Sequence, residues 1–120
     1  MAVEAPLKLY SYPSCSTCRK ALAWLKERGL SVSPIDITQQ PPSRAELALA
    51  MEQLGRKRLF NTSGQSYRAL GAAAVAAMDD DQVLAALAAD GKLIKRPLLI
   101  TGSSKVVTGF KPDEWQALLG

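Results

Sequence analysis

The sequence predicts an α/β fold: a four-stranded mixed sheet that opens with a strand-helix-strand unit, closes with a hairpin and a helix, and carries an all-helical segment between them. Three observations predict it. A β-rich run at residues 7–12 is followed by a segment of helical period and then by a second β-rich run, which together make a βαβ unit. Two short β-rich runs near the C-terminus are separated by a stretch containing Gly102, Ser103 and Ser104, a hairpin signal. Between about residues 43 and 91 the periodic segments are helical. A length of 120 residues suits one domain with its own core. The helical stretch is read as an insertion that shares this core, because too few residues flank it to build two.

Taken in order, Leu7, Leu9, Tyr10 and Tyr12 predict the first strand, and Pro13 stops it. A helix is expected from Ser16 to Arg28, with Gly29 just past its end. Val32, Ile35 and Ile37 read as the second strand, irregular around Pro34. Short connections make the first two strands parallel with a right-handed crossover. Ser43 and Glu46 form a capping box for the next helix, whose apolar stripe is Leu47, Met51 and Leu54, and Gly55 ends it. Asn61–Gly64 is loop-like and precedes a short helical turn. The segment from Met78 predicts another helix, its acidic start matched to the positive end of the dipole and Gly91 as its stop. Leu98–Thr101 and Val106–Thr108 are the hairpin strands. Pro112 opens a final helix carrying Trp115, Leu118 and Leu119.

Composition narrows the function classes. Hydrophobic residues make up 48% and charged residues 22% of the chain, as in a globular domain. The formal net charge is +4, from 15 Lys and Arg against 11 Asp and Glu. That excess suits an anionic substrate or an acidic partner, but the basic residues are scattered and do not outline a nucleic-acid groove. No apolar run approaches a membrane span, and the N-terminus lacks the basic start and apolar core of a secretory signal. The expected location is therefore the cytoplasm, where a disulfide is more often catalytic or redox-sensing than structural. The chain has no histidine, which excludes Cys-His and Ser-His-Asp catalysis and histidine-ligated metals. Two thiolates are too few for a closed zinc site within one chain, so no metal is expected.

Both cysteines lie in PSCSTC, three residues apart. Cys18, Ala21, Leu22 and Leu25 share one apolar helix face, which turns Cys18 toward the core. Cys15 sits one turn earlier at the helix mouth, where unpaired amides and the positive dipole end favour thiolate over thiol. Arg19, one turn on from Cys15, adds positive charge, and Lys20 lies beside it. The pair could be two ordinary small core residues. Its place between a strand and a helix in a βαβ unit points instead to a redox pair, with Cys15 attacking and Cys18 resolving the mixed disulfide. Arg96-Pro97 directly precedes the third strand. A trans bond is the ordinary expectation; a cis bond would bring Arg96 beside the cysteine mouth, where its planar fork suits an oxyanion or carboxylate. In the NTSGQSYRALG stretch, Asn61, Ser63 or Tyr67 could line a cleft opposite Cys15, while Tyr67 and Leu70 could equally be core. Arg44, Arg56, Lys57 and Arg58 read as solvated surface charge, and Trp24 and Trp115 as packing residues.

With these segments in order, from LKLYSYPSCSTCRKALAWL through PPSRAEL and LFNTSGQSYRALG to LIKRPLLI and VTGFKPDEW, the chain resembles the arsenate reductase-like (ArsC/Spx/MgsR) family of the thioredoxin superfamily. The resemblance implies a thioredoxin-like fold with a helical insertion and a cis peptide at Arg96-Pro97. It implies that Cys15 is the nucleophile and that Arg96 helps bind an oxyanion. Glutathione, glutaredoxin or thioredoxin would supply electrons, and no bound cofactor is implied. Arsenate reductases of this kind carry a single cysteine in the loop, with serine where this chain has Cys18, and two further arginines. Here Asn61 stands at the first of those arginine positions and Lys111 lies near the second. The two-cysteine version resembles the Spx/MgsR branch, which implies the alternative of a redox-sensing regulator that binds the RNA polymerase α subunit and not DNA directly. The chain ends just after its last helix, where Spx carries a basic extension, so a thiol–disulfide oxidoreductase is the expected reading. The candidate site is Cys15 and Cys18 for catalysis, with Ser14, Thr17, Arg19, Asn61, Arg96 and Pro97 for substrate binding.

Overall fold

Backbone pairing along Tyr10 fixes the centre of the sheet. In the computed structural model, which describes residues 7–119, strand β1 (Lys8–Ser11) pairs in parallel with β2 (Ile35–Asp36), Tyr10 opposite Ile35. On its other side β1 runs antiparallel to β3 (Leu98–Ile100), with Tyr10 opposite Leu98. β3 pairs antiparallel with β4 (Val106–Thr108). The order β2-β1-β3-β4 is the mixed four-stranded sheet the sequence predicts, and it is a thioredoxin-like arrangement. Alternation along the strands splits the core in two. Leu9, Leu99 and Val107 face one side and pack with Ala21, Leu25 and Trp115, from α1 (Ser16–Glu27) and α6 (Pro112–Leu119). Tyr10, Leu98, Ile100 and Val106 face the other side, covered chiefly by α2 (Arg44–Leu54) and α5 (Asp80–Ala89). Both faces are buried, which explains why the strands read as nearly continuous apolar runs.

Local chemistry sets the element ends. Ser43 and Glu46 make the predicted capping box on α2, and Asp79 with Gln82 makes a second on α5. Glu46 does more than cap: its carboxylate accepts from the Tyr10 hydroxyl at 2.7 Å and from Lys8 at 2.7 Å, which ties α2 to β1. β4 is an edge strand, and Gln53 of α2 covers part of it by accepting from the Val106 amide at 2.8 Å and donating to the Ser104 carbonyl at 2.6 Å. Three expectations are corrected. β2 is shorter than the run from Val32 to Ile37, because Pro34 has no amide to donate and the Asp36 carboxylate bends the chain by accepting from the Thr38 amide at 2.9 Å. The hairpin strand stops at Ile100 instead of Thr101, since Thr101 closes the turn by donating its amide to the Lys105 carbonyl and accepting the Lys105 amide on its hydroxyl. Gly91 is not the residue that ends α5. It lies past the Asp90 cap in a 3₁₀ turn, and a Cβ there would sit 1.8 Å from the Ile37 carbonyl oxygen, so close backbone approach is what requires glycine. Two further helices, α3 (Gln65–Leu70) and α4 (Ala72–Ala77), lie between α2 and α5; the second has no sequence-based counterpart. Among the described residues no helix is long and apolar enough to cross a membrane.

Candidate active site

Cys15 follows the turn that leaves β1. Its amide donates to the Tyr12 carbonyl at 3.0 Å, and its extended backbone (φ −87°, ψ 115°) makes it the N-cap of α1. The cap bond is unusual in its acceptor: the Cys18 amide donates to Cys15 Sγ at 3.2 Å. Sulfur here takes the place of the serine or aspartate oxygen that usually satisfies an orphan helix amide. Cys15 is half-buried and Cys18 fully buried, and both are free thiols. Burial first, and then the neighbouring Cys15, push the Cys18 thiol up to about 11, against smaller opposing effects of the Tyr12 backbone and Ser11. The two sulfurs thus occupy different environments, as their spacing on the helix face predicts.

Cys15 opens into a cleft of about 690 Å³. Ser14 and Thr17 line it from the helix mouth, Asn61 and Ser63 from the loop before α3, and Arg96 from the turn before β3. The cis bond at Arg96-Pro97 is present. Loop and turn residues far apart in the sequence therefore converge on one sulfur. The basic residues of the lining are Arg58, Lys95, Arg96 and Lys111, and among the described residues no carboxylate lines the cleft itself. An anion is the ligand such a wall favours. Arg96 carries a specific signal: its Nη1 is buried with no hydrogen-bond partner among the described residues, and its guanidinium lies 4.9 Å from the centre of the Tyr12 ring. Its charge also contributes to holding the Asp36 carboxyl below the usual range, after the larger effect of the Thr38 hydroxyl and amide.

Not every candidate faces the cleft. Arg19 turns away: its guanidinium donates to the Pro13 carbonyl at 3.0 Å and lines a separate groove against Pro34 and Asp36. Pro97 is buried outside the lining, though its carbonyl accepts the Gly109 amide at 2.9 Å and so fixes the opposite wall. Tyr67 packs against the core with its ring 5.8 Å from Phe60, and Leu70 is exposed. Arg58 is the residue the sequence reading missed. It is not loose surface charge; it donates to the Thr108 carbonyl at 3.0 Å and pairs with Glu114 at 3.0 Å while facing the cleft. The signal for it lay in Glu114 at the start of α6, a carboxylate with no other partner in its own helix. Trp115 braces the same wall by donating its indole N–H to the Gly109 carbonyl at 3.0 Å. Among the described residues no three His, Cys, Asp or Glu side chains converge to hold a metal ion.

Known proteins share this architecture. The model of the ArsC family matches residues 10–118. YusI of Bacillus subtilis is 47% identical over 113 residues, covering 92% of this chain and 95% of its own. The regulatory protein MgsR of the same organism is 32% identical over 114 residues, covering 93% of this chain and 89% of its own. The crystal structure of a "possible arsenate reductase" from Streptococcus mutans superposes with a TM-score of 0.83 at 40% identity, covering 92% of this chain and 97% of that one. By the span of the match and the fold it shares, the chain belongs to the ArsC family.

Proposed function

We propose that the protein is a cytoplasmic thiol–disulfide oxidoreductase acting on anionic thiols or disulfides. The observation that supports this best is the asymmetry of the pair: Cys15 Sγ at a helix mouth beneath a cationic cleft, Cys18 buried one turn behind it. Cys15 thiolate attacks a substrate disulfide, forms a mixed disulfide and expels one thiolate. Cys18 loses its proton and attacks Cys15, which closes the Cys15–Cys18 bond and expels the second thiolate. The substrate gains two electrons, and the pair loses them. A thiol reductant of the glutathione, glutaredoxin or thioredoxin class returns the pair to its dithiol form. Arg96 holds the anionic part of the substrate, with Ser14, Thr17 and Asn61 as polar contacts around it. Steady-state reduction of a carboxylate-bearing disulfide with excess reductant tests this. Cys15→Ser should abolish turnover and Arg96→Met should raise KM; undiminished turnover by Cys15→Ser would contradict the assignment.

The likeness to MgsR supports a second reading, a redox-sensing regulator that docks on the α subunit of RNA polymerase. Closing Cys15–Cys18 would then alter the surface around the cleft instead of processing a substrate. Capture of the α subunit should differ between oxidised and reduced protein; equal recovery from both would rule this reading out. Arsenate reduction is disfavoured by Asn61, which offers a neutral amide to the cleft where arsenate reductases present arginine.

A further inference from the structure

We propose that Tyr12 is a positioning residue that gives Cys15 its selectivity for anionic disulfides, by carrying Arg96 on the face of its ring. This rests on the oxidoreductase reading above. Tyr12 joins the two halves of the site through different parts of itself. Its carbonyl accepts the Cys15 amide at 3.0 Å and so fixes the turn that presents the sulfur. Its ring lies in the cleft lining with the Arg96 guanidinium 4.9 Å from its centre. Among the described residues Arg96 has no carboxylate within ion-pair distance, although its charge reaches Asp36, and its Nη1 is buried and unpartnered. A guanidinium on such a long side chain has several rotamers open to it, and the negative face of an aromatic ring is what selects one. Held there, the guanidinium lines the cleft and turns its positive charge toward a carboxylate of the incoming disulfide. Arg58, by contrast, already has its charge matched by Glu114. Lys95 and Lys111 also line the cleft, but of its four basic residues Arg96 is the one seated on an aromatic ring among the described residues, and the selectivity is assigned to it.

The test compares two chromophoric disulfides in single-turnover reactions with the reduced protein: dithiobis(nitrobenzoate), which carries carboxylates, and dithiodipyridine, which is neutral. In each, the Cys15 thiolate displaces one aryl thiolate, whose absorbance reports the rate. Tyr12→Leu should lower the ratio of anionic to neutral rate by on the order of tenfold. Tyr12→Phe, which keeps the ring face and loses the hydroxyl, should preserve the ratio. In an Arg96→Met background, Tyr12→Leu should change the ratio no further, since the partner is gone. A Tyr12→Leu protein that slows with both probes equally, or a Tyr12→Phe protein that loses the ratio, would overturn the proposal. Cys15→Ser should react with neither probe. Reaction persisting there would overturn the assignment of the nucleophile and, with it, this proposal. An unchanged ratio in Tyr12→Leu while Cys15→Ser is unreactive would overturn the role of Tyr12 alone.

Discussion

If Cys18 resolves the mixed disulfide, its ionisation should govern how fast the second thiol leaves. Its thiol is pushed from 9.0 up to about 11, chiefly by burial. A rise of that size makes the thiolate about a hundredfold scarcer at any pH well below the ordinary value of 9.0. At neutral pH about one Cys18 in ten thousand is then ionised. Once Cys15 is tied up in a mixed disulfide, its own contribution to the rise is gone, but the burial of Cys18 remains. The rate of resolution should therefore climb by about tenfold per pH unit from pH ~7 past the ordinary thiol value of 9.0. The assay loads Cys15 with one equivalent of an aryl disulfide at acid pH, which releases the first aryl thiol, then jumps the pH and follows release of the second. A plateau setting in near the ordinary value of 9.0 would refute the reasoning, because it would mean that Cys18 ionises as an exposed thiol does.

Three other perturbations follow from the same geometry. Gly91→Ala drives a Cβ into the Ile37 carbonyl group; both sides of that contact are backbone, so urea unfolding should show a loss of about 3 kcal/mol, and an unchanged midpoint would contradict the close approach. Glu46→Gln weakens the joint among Lys8, Tyr10 and the Ser43 amide and should cost about 2 kcal/mol near neutral pH. Burial raises the Glu46 carboxyl, but these donors lower it further, leaving it below the ordinary value; its contribution is present above the unfolded-state value of about 4.3 and lost as pH falls through the folded one, so the variant and the parent should converge in acid. Glu114→Gln removes the carboxylate that matches Arg58 in the cleft wall, which should lower KM for an anionic disulfide; a raised KM would mean that the pair only braces α6.

How legible the molecule is from its sequence depends on the range of the interaction involved. The βαβ start, the capping box at Ser43 and the inward turn of Cys18 rest on neighbours within a few residues, and these were readable. Helix α4 was not, because in AAAVAA only Val75 distinguishes a buried face from an exposed one. Gly91 looks like a helix stop by position, and only the approach of Ile37 from another element reveals its purpose. The site divides in the same way. The difference between Cys15 and Cys18 follows from helical spacing, whereas the meeting of Arg58, Asn61 and Arg96 above Cys15 depends on the α2–α3 connection and the turn before β3 folding to one place. Arg19, one helical turn from Cys15 in sequence, illustrates the converse: proximity along the chain did not bring its charge into the cleft.

The central claim is that Cys15 attacks and Cys18 resolves, and intact-protein mass after brief exposure to a small disulfide tests it most directly. The unsubstituted protein should end lighter by the two hydrogens lost in closing Cys15–Cys18, with no adduct retained. Cys18→Ser should keep a single adduct, mapped by peptide mass to Cys15, and Cys15→Ser should keep none in the same interval. An adduct on Cys18 in the Cys15→Ser protein, or a Cys18→Ser protein that sheds its adduct as fast as the parent does, would contradict the account.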